Sequence, residues 1–95
     1  MTRAILLNDS DNVATLIDDG SSGDNCVLQG EGTGTVKLAK DIPFGHKIAV
    51  KDVDNGGEII KYGQVIGLAT EAIPTGQHAH VHNIESRRGR GDQSA

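Results

Sequence analysis

Aromatic residues are nearly absent from this chain. Its 95 residues include one Phe, one Tyr and no Trp. A core must therefore be built from Val, Ile, Leu and Ala, and a domain of this size buries only a modest amount of apolar surface. Stacking platforms for bases are also missing, which argues against nucleic-acid binding. Because so small a core leaves little spare stability, we expect a partner, either a second copy of the chain or another protein.

Cationic residues are also scarce and unevenly distributed. Residues 1–86 contain six Lys or Arg against twelve Asp or Glu, whereas residues 87–95 contain three Arg and one Asp. An acidic body of this kind does not attract phosphates. No apolar run reaches the length of a membrane span, and the first residues lack a signal-peptide pattern. We predict a cytoplasmic protein with one domain, residues 1–86, and a disordered basic tail, residues 87–95.

The chain has one cysteine, Cys26. A single cysteine excludes an internal disulfide and a zinc cluster built from cysteines. The absence of disulfides is typical of the reducing cytosol. We therefore interpret Cys26 as a small apolar side chain in the core.

Helical periodicity is missing as well, and the pattern predicts a mostly-β fold. Short apolar runs alternate with turn signals, and thirteen glycines fit a chain with many turns. Asn55-Gly56 is the strongest hairpin signal. The predicted strands are Ala4–Leu7, Val13–Ile17, Cys26–Gln29, Thr35–Leu38, His46–Val50, Glu58–Ile60, Val65–Leu68 and Ala79–Ile84.

A weak internal repeat places a turn that contains Pro or Gly between an apolar residue and a strand. The three units begin at Ile42, Val53 and Ile73. Proline sets φ for the first turn residue, and glycine supplies the positive φ that the end of the turn requires. Units of this length predict a compact, barrel-like fold of short strands.

Three histidines carry the strongest chemical signal. His78, His80 and His82 alternate with Ala79 and Val81. If this segment is a strand, the three imidazoles share one face, about 7 Å apart from one to the next. Two of them could then chelate one metal ion, with a third ligand from His46, a carboxylate or another chain. The alternative is an exposed polar strand face whose histidines only form hydrogen bonds.

Two lysines near turns form a second group of candidates. Lys47 follows a turn at Gly45-His46, and Lys61 precedes Tyr62-Gly63. A Lys and a Tyr side by side at a strand end could bind a carboxylate and supply a proton. The alternative is a solvated lysine beside a tyrosine on the rim of the fold.

Three spaced motifs in residues 41–83 resemble a known family. They are Asp41-Ile42-Pro43-x-Gly45-His46-Lys47-x-Ala49, Gly57-x-x-x-Lys61-Tyr62-Gly63-x-x-Ile66-Gly67-x-Ala69, and Ile73-x-x-Gly76-x-x-x-His80-x-His82-Asn83. The motifs and their order are similar to the SAF module of the altronate/galactarate dehydratase family. That family includes a sulfolactate sulfo-lyase with separate small and large subunits.

The resemblance implies a β-clip fold and a two-part enzyme whose small part is inactive alone. The reaction would be a β-elimination, in which water or sulfite leaves a hydroxy acid and a 2-keto acid forms. The large catalytic part would be the partner, and a divalent metal, iron or manganese, would be the cofactor, supplied mainly by the large part. Such an ion stabilises the enediolate that forms when a proton leaves next to a carboxylate.

The family motifs also imply roles for residues of this chain. They make His46, Lys61 and Tyr62 catalytic, Lys47 and Asn83 substrate-binding, and His80 and His82 metal ligands. His78 occupies a position that varies in the family and is the less secure ligand. The rival hypotheses are a non-catalytic binding module for a metal or small ligand and, more weakly, a metal-storage or sensing protein.

Overall fold

The computed structural model describes residues 2–80 and 82–86, and these residues form nine short strands and no helix. No helix in these ranges could cross a membrane. The predicted tail, residues 87–95, lies outside the described residues. The strands are β1 (Thr2–Leu6), β2 (Val13–Leu16), β3 (Asn25–Gly30), β4 (Gly34–Lys37), β5 (Lys47–Ala49), β6 (Glu58–Lys61), β7 (Gln64–Ala69), β8 (His78–Ala79) and β9 (Ile84–Ser86).

The mostly-β prediction is confirmed. The strands form a six-stranded sheet in the order β4-β3-β1-β2-β5-β8 and a three-stranded sheet in the order β6-β7-β9. β1 pairs parallel with β3 and antiparallel with β2. The first seven predicted strands are present, with ends that differ by no more than two residues from the prediction.

Two apolar clusters form the core, and β2 and β5 contribute to both. On β2, Val13 belongs to one cluster and Ala14 to the other, because successive side chains of a strand point to opposite faces. Ile48 and Ala49 divide in the same way on β5. These two strands are therefore held from both sides. The fully buried Cys26 packs in the first cluster, as predicted, and burial raises the pKa of its thiol.

The turns that begin at Ile42 and Ile73 repeat the same hydrogen bonds. Ile42 exchanges two backbone bonds with Gly20, and Ile73 exchanges two with Val53. Two positions after each isoleucine, a backbone N–H donates to the carboxylate of an aspartate from an earlier segment. Phe44 donates to Asp19, and Thr75 donates to Asp52. Each turn leads into a strand, β5 after the first and β8 after the second, and these two strands pair with each other.

The hairpin predicted at Asn55-Gly56 is wrong. A turn is present there, since Gly57 N–H donates to the Asp54 carbonyl at 2.8 Å. However, the flanking segments pair with other strands, β5 with β2 and β8, and β6 with β7. The two-residue hairpin lies instead at Tyr62-Gly63, between β6 and β7, where φ is 59° and 70°. Positive φ at both central residues is the requirement of a type I′ turn, which asparagine and glycine usually satisfy.

Candidate functional site

Three imidazoles converge where β5 and β8 pair. In this register Ile48 lies opposite His78, and His46 immediately precedes β5. Nδ1 of His46 lies 2.8 Å from Nε2 of His78. One nitrogen from each of His46, His78 and His80 lies within 4.8 Å of the others. We call these three residues the trihistidine cluster.

The rings of the cluster also stack. The centroids of His46 and His80 are 4.3 Å apart, and those of His78 and His80 are 5.3 Å apart. His82 lies at the edge of this group, with its centroid 5.2 Å from that of His78, and it is exposed. The structure thus brings together two of the three alternating histidines, and adds His46 as their close neighbour.

The continuous strand predicted over Ala79–Ile84 is wrong. β8 ends at Ala79, and a turn follows, in which the N–H groups of Asn83 and Ile84 both donate to the His80 carbonyl. Val81, which the alternation placed in the core, lies outside the described residues. Because the strand ends before the turn, the three alternating histidines do not form a ladder on one strand face, and the exposed ring of His82 stays at the edge of the cluster, beside His78.

Asn83 explains why the strand stops. Its Oδ1 accepts the N–H of His80 at 2.9 Å, and its Nδ2 donates to the His78 carbonyl at 2.8 Å. A side chain that bonds to nearby backbone in this way competes with strand pairing and favours a turn. Asn83 is buried, so both polar ends of its amide are used within the fold. In this structure it therefore holds the backbone that carries the two histidines, and its predicted contact with substrate stays a prediction.

Burial and mutual repulsion favour the neutral form of two histidines of the cluster, His78 and His80. Burial lowers the pKa of His78 to about 4, and repulsion from His46 and the neighbouring cations adds to the effect. The pKa of His80 is lowered by burial and then by His46 and Lys47. A neutral imidazole has a free lone pair, which is the form that coordinates a metal ion. The positions of the three nitrogens and the lowered pKa values of His78 and His80 both fit a cation bound by the cluster.

A partly open cavity of about 270 Å³ adjoins the cluster. It is lined by His80 and Lys47 together with the apolar residues Ile66 and Ile84 and with Ser86. Burial, followed by repulsion from Lys61, lowers the pKa of Lys47. The two predicted lysines are therefore close enough to repel each other, and an anion in this region would relieve that repulsion.

Lys61 and Tyr62 project from the β6–β7 hairpin. Nζ of Lys61 lies 5.4 Å from the centroid of the Tyr62 ring, a cation–π distance, and the tyrosine is 64% exposed. The hydroxyl of Tyr62 is thus open to a partner molecule. Its predicted catalytic role, like those of His46 and Lys61, stays a prediction.

Sequence comparison places this site in a family. Residues 2–87 match the model of the altronate/galactarate dehydratase SAF domain. The chain belongs to the altronate/galactarate dehydratase family. The resemblance seen in the three motifs of residues 41–83 is therefore confirmed. The family match extends it towards the N-terminus, as far as residue 2.

Curated relatives of this SAF domain are of two kinds. It is 38% identical to altronate dehydratase of Escherichia coli (strain K12) over 80% of its own length, and 42% identical to the galactarate dehydratase (L-threo-forming) of the same organism over 76%. It spans only 15% and 13% of those two proteins. It is also 38% identical to (2R)-sulfolactate sulfo-lyase subunit alpha of Paracoccus pantotrophus, over 66% of its own length and 96% of that subunit.

Two further residues of the SAF domain, Asp11 and Asn12, shape the hairpin near the site and were not among the predicted site residues. Asp11 is fully buried, and its carboxylate accepts the N–H groups of Tyr62 and Gly63. The side chain of Asn12 accepts the Ile60 N–H at 2.8 Å and donates to the Glu58 carbonyl at 2.7 Å. The signal in the sequence was a pair of Asx residues directly before the buried strand β2, a pattern that is also typical of an ordinary turn.

Proposed function

We propose that this SAF domain is the small component of a two-part lyase that acts on a hydroxy acid. The proposal rests on one combined observation. The chain matches 96% of the length of a lyase alpha subunit, and its trihistidine cluster lies beside a cavity that is lined by a lysine. The name of the Paracoccus pantotrophus protein marks it as one subunit of an enzyme. By analogy, a large catalytic component is the partner of this chain. We propose that the pair works in the cytoplasm.

The cavity supports the need for a partner. It is partly open, and its lining residues come from only a few short strands. Sites that process small polar molecules enclose most of the ligand surface and exclude water. A second wall is therefore required, and Lys47, which lines the cavity and is half-buried, and Tyr62, which is exposed, are both accessible to a partner that supplies it. The chain alone is expected to be inactive.

The reaction proposed is a β-elimination. A base removes the proton from the carbon next to the carboxylate, and the C–O or C–S bond at the following carbon breaks. The leaving group departs as water, after protonation, or as sulfite, and the enol that remains tautomerises to a 2-keto acid. A divalent ion held by histidines of the cluster would supply positive charge next to the substrate carboxylate.

Residues of this chain bind the substrate carboxylate, transfer protons and exclude water. Protonated Lys47 binds the carboxylate at the cavity wall, and its half-buried position strengthens that contact because water is partly excluded. Lys61, whose charge acts on Lys47, and the neighbouring Tyr62 are assigned the proton transfers, because an amine and a phenol can accept and donate protons. The apolar side chains of Ile66 and Ile84 exclude water from the carbon that loses its proton.

Reconstitution with the large component tests the proposal. The chain and the large component from the same organism are purified together and assayed with altronate, galactarate and (2R)-sulfolactate. We expect 2-keto acid only when both are present. Lys47→Met should reduce the rate about 10²-fold or more. Lys51→Met is the matched control, because Lys51 is exposed and, among the described residues, its amine donates one long hydrogen bond, of 3.5 Å, to the Asp9 carbonyl.

Two results would overturn the proposal. Turnover by the purified chain without the large component would refute the two-part enzyme. If the two components form a complex that binds these acids without converting them, the chain is a binding module and not part of a lyase.

A further inference from the structure

We infer that His46, His78 and His80 together bind one divalent transition-metal ion of the kind that prefers nitrogen ligands, and that His82 is not a ligand. The inference deepens the proposed function and depends on it only for the use of the ion in catalysis. It differs from the ligand set that the resemblance implied, which was His80 and His82 with His78 less secure, and it makes His46, one of the third ligands left open by the sequence, a ligand of the ion. Binding itself is a property of this chain.

The spacing of the nitrogens fits one ion. Metal–imidazole bonds of about 2.0–2.1 Å place neighbouring ligand nitrogens about 3–3.4 Å apart in octahedral or tetrahedral geometry. Nδ1 of His46 and Nε2 of His78 are 2.8 Å apart, and the nitrogen of His80 lies within 4.8 Å of both. Small rotations of the rings therefore bring all three to coordination distance, and the ion replaces the proton shared by His46 and His78.

The backbone fixes these three side chains relative to one another. The β5–β8 pairing holds His46 beside His78, and the amide of Asn83 bridges the backbone of His78 and His80. Partners that orient metal ligands strengthen binding, and their loss typically costs 10- to 100-fold in affinity. His82 has no such support among the described residues and is exposed.

The ligand chemistry selects the class of metal. The cluster contains imidazoles and no carboxylate. Imidazole suits Fe²⁺, Co²⁺, Ni²⁺, Cu²⁺ and Zn²⁺, whereas Mg²⁺, Ca²⁺ and Mn²⁺ prefer oxygen ligands. Of the two metals expected from the resemblance, iron therefore fits this site and manganese does not. Three protein ligands leave at least one coordination position open, which is the arrangement of catalytic sites. His80 lines the cavity, so the open position faces the space beside Lys47.

Metal titration of the whole chain tests the inference. The chain is prepared without a polyhistidine tag, stripped with a chelator and titrated with Co²⁺, whose visible absorption reports coordination. We expect one Co²⁺ per chain, displaced by Zn²⁺ but not by Mg²⁺ or Mn²⁺. Replacing His46, His78 or His80 by Ala should weaken binding at least tenfold. His82→Ala is the matched control and should bind as the wild type does.

A second measurement does not depend on the folding of variants. X-ray absorption by the Zn²⁺-loaded wild-type chain should show three imidazole nitrogens at about 2.0–2.1 Å. Failure of the wild type to bind Co²⁺, or loss of binding in His82→Ala equal to that in His46→Ala, would refute the ligand set. If the chain binds the ion but the reconstituted pair has no lyase activity, only the proposed function fails.

Discussion

Oδ2 of Asp11 accepts the backbone N–H of Tyr62 at 3.0 Å, although 51 positions separate the two residues in sequence. Oδ1 of the same carboxylate accepts the next N–H, that of Gly63, at 2.8 Å. A fully buried carboxylate from the segment before β2 thus satisfies both donors at the tip of the β6–β7 hairpin. The position of Lys61 and Tyr62 beside the site therefore depends on Asp11.

Asp11→Ala should destabilise the domain by about 2–4 kcal/mol. Two hydrogen bonds to a charged acceptor are lost, and two partly buried N–H groups are left without it. Urea unfolding gives the change in the free energy of unfolding. Asp9→Ala is the control: Asp9 is exposed, so we expect a change within about 0.5 kcal/mol. Equal effects of the two variants would contradict the role given to Asp11.

Asn83→Ala should lower stability by about 1–3 kcal/mol, because the His78 carbonyl and the His80 N–H both lose their partner. Thermal unfolding of the chain measures this, and the KM of the reconstituted pair separates two interpretations. A residue that holds the histidine turn affects the chain's stability and its metal affinity. An unchanged melting temperature with a raised KM would instead show that Asn83 binds substrate, as the sequence analysis predicted.

Gly76→Ala should cost more than Gly45→Ala, although the two glycines occupy equivalent positions in the repeated turns. Their φ values are 93° and 85°, so alanine is strained at both, by roughly 1–2 kcal/mol. A Cβ at Gly45 would meet open space, whereas a Cβ at Gly76 would overlap the backbone carbonyl oxygen of Lys37. We expect an additional loss of roughly 1–3 kcal/mol at Gly76. Equal losses in urea unfolding would show that the turn before β8 can move away from β4.

Asp52→Ala should have an effect that depends on pH. The backbone N–H and then the hydroxyl of Thr75 lower the pKa of Asp52 below its ordinary value of 3.8. A carboxyl whose pKa is depressed by folding stabilises the protein above the unfolded pKa, and this contribution is lost as the pH falls through the folded pKa. The difference in melting temperature between wild type and Asp52→Ala should thus be largest near pH 7 and shrink towards about pH 3.

The control for the pH experiment is Asp54→Ala. Asp54 is exposed, and its side chain forms no hydrogen bond with the residues in ranges 2–80 and 82–86. Its replacement should change the melting temperature by the same small amount at both pH values. A pH-independent effect of Asp52→Ala would show that its contact with Thr75 is not charge-assisted.

Local patterns were sufficient to predict most strands, since each of the first seven is a short apolar run bounded by turn chemistry. The eighth prediction failed for a local reason as well. Alternating histidines from His78 to His82 indicate a strand, but the side chain of Asn83 bonds to the backbone of His78 and of His80. The sequence shows that position 83 is an asparagine, a residue type whose side chain can compete with strand pairing. It does not show which backbone groups that side chain will bind.

The convergence of His46 with His78 depends on long-range pairing. The two residues are 32 positions apart, and only the pairing of β5 with β8 brings them together. The repeated turns were the available signal, since equivalent strands that follow equivalent turns are candidates for pairing. The repeat alone does not determine which units pair. The strands that follow the turns at Ile42 and Ile73 pair with each other, whereas the unit at Val53 forms an isolated backbone bridge with Ile73.

In the six-stranded sheet, strands that are synthesised earlier lie nearer the middle, and strands that are synthesised later lie nearer the edges. β1 lies inside the sheet, β2 and β3 flank it, β5 and β4 flank these, and β8 comes last at one edge. Each new strand can therefore join an existing edge, and none has to be inserted between two strands that are already paired. Since the N-terminal parts of a chain emerge first during synthesis, β8 is the last strand of this sheet to leave the ribosome, and its junction with β5 cannot form before then. A nascent chain that ends before His78 has five of the six strands and an incomplete histidine cluster.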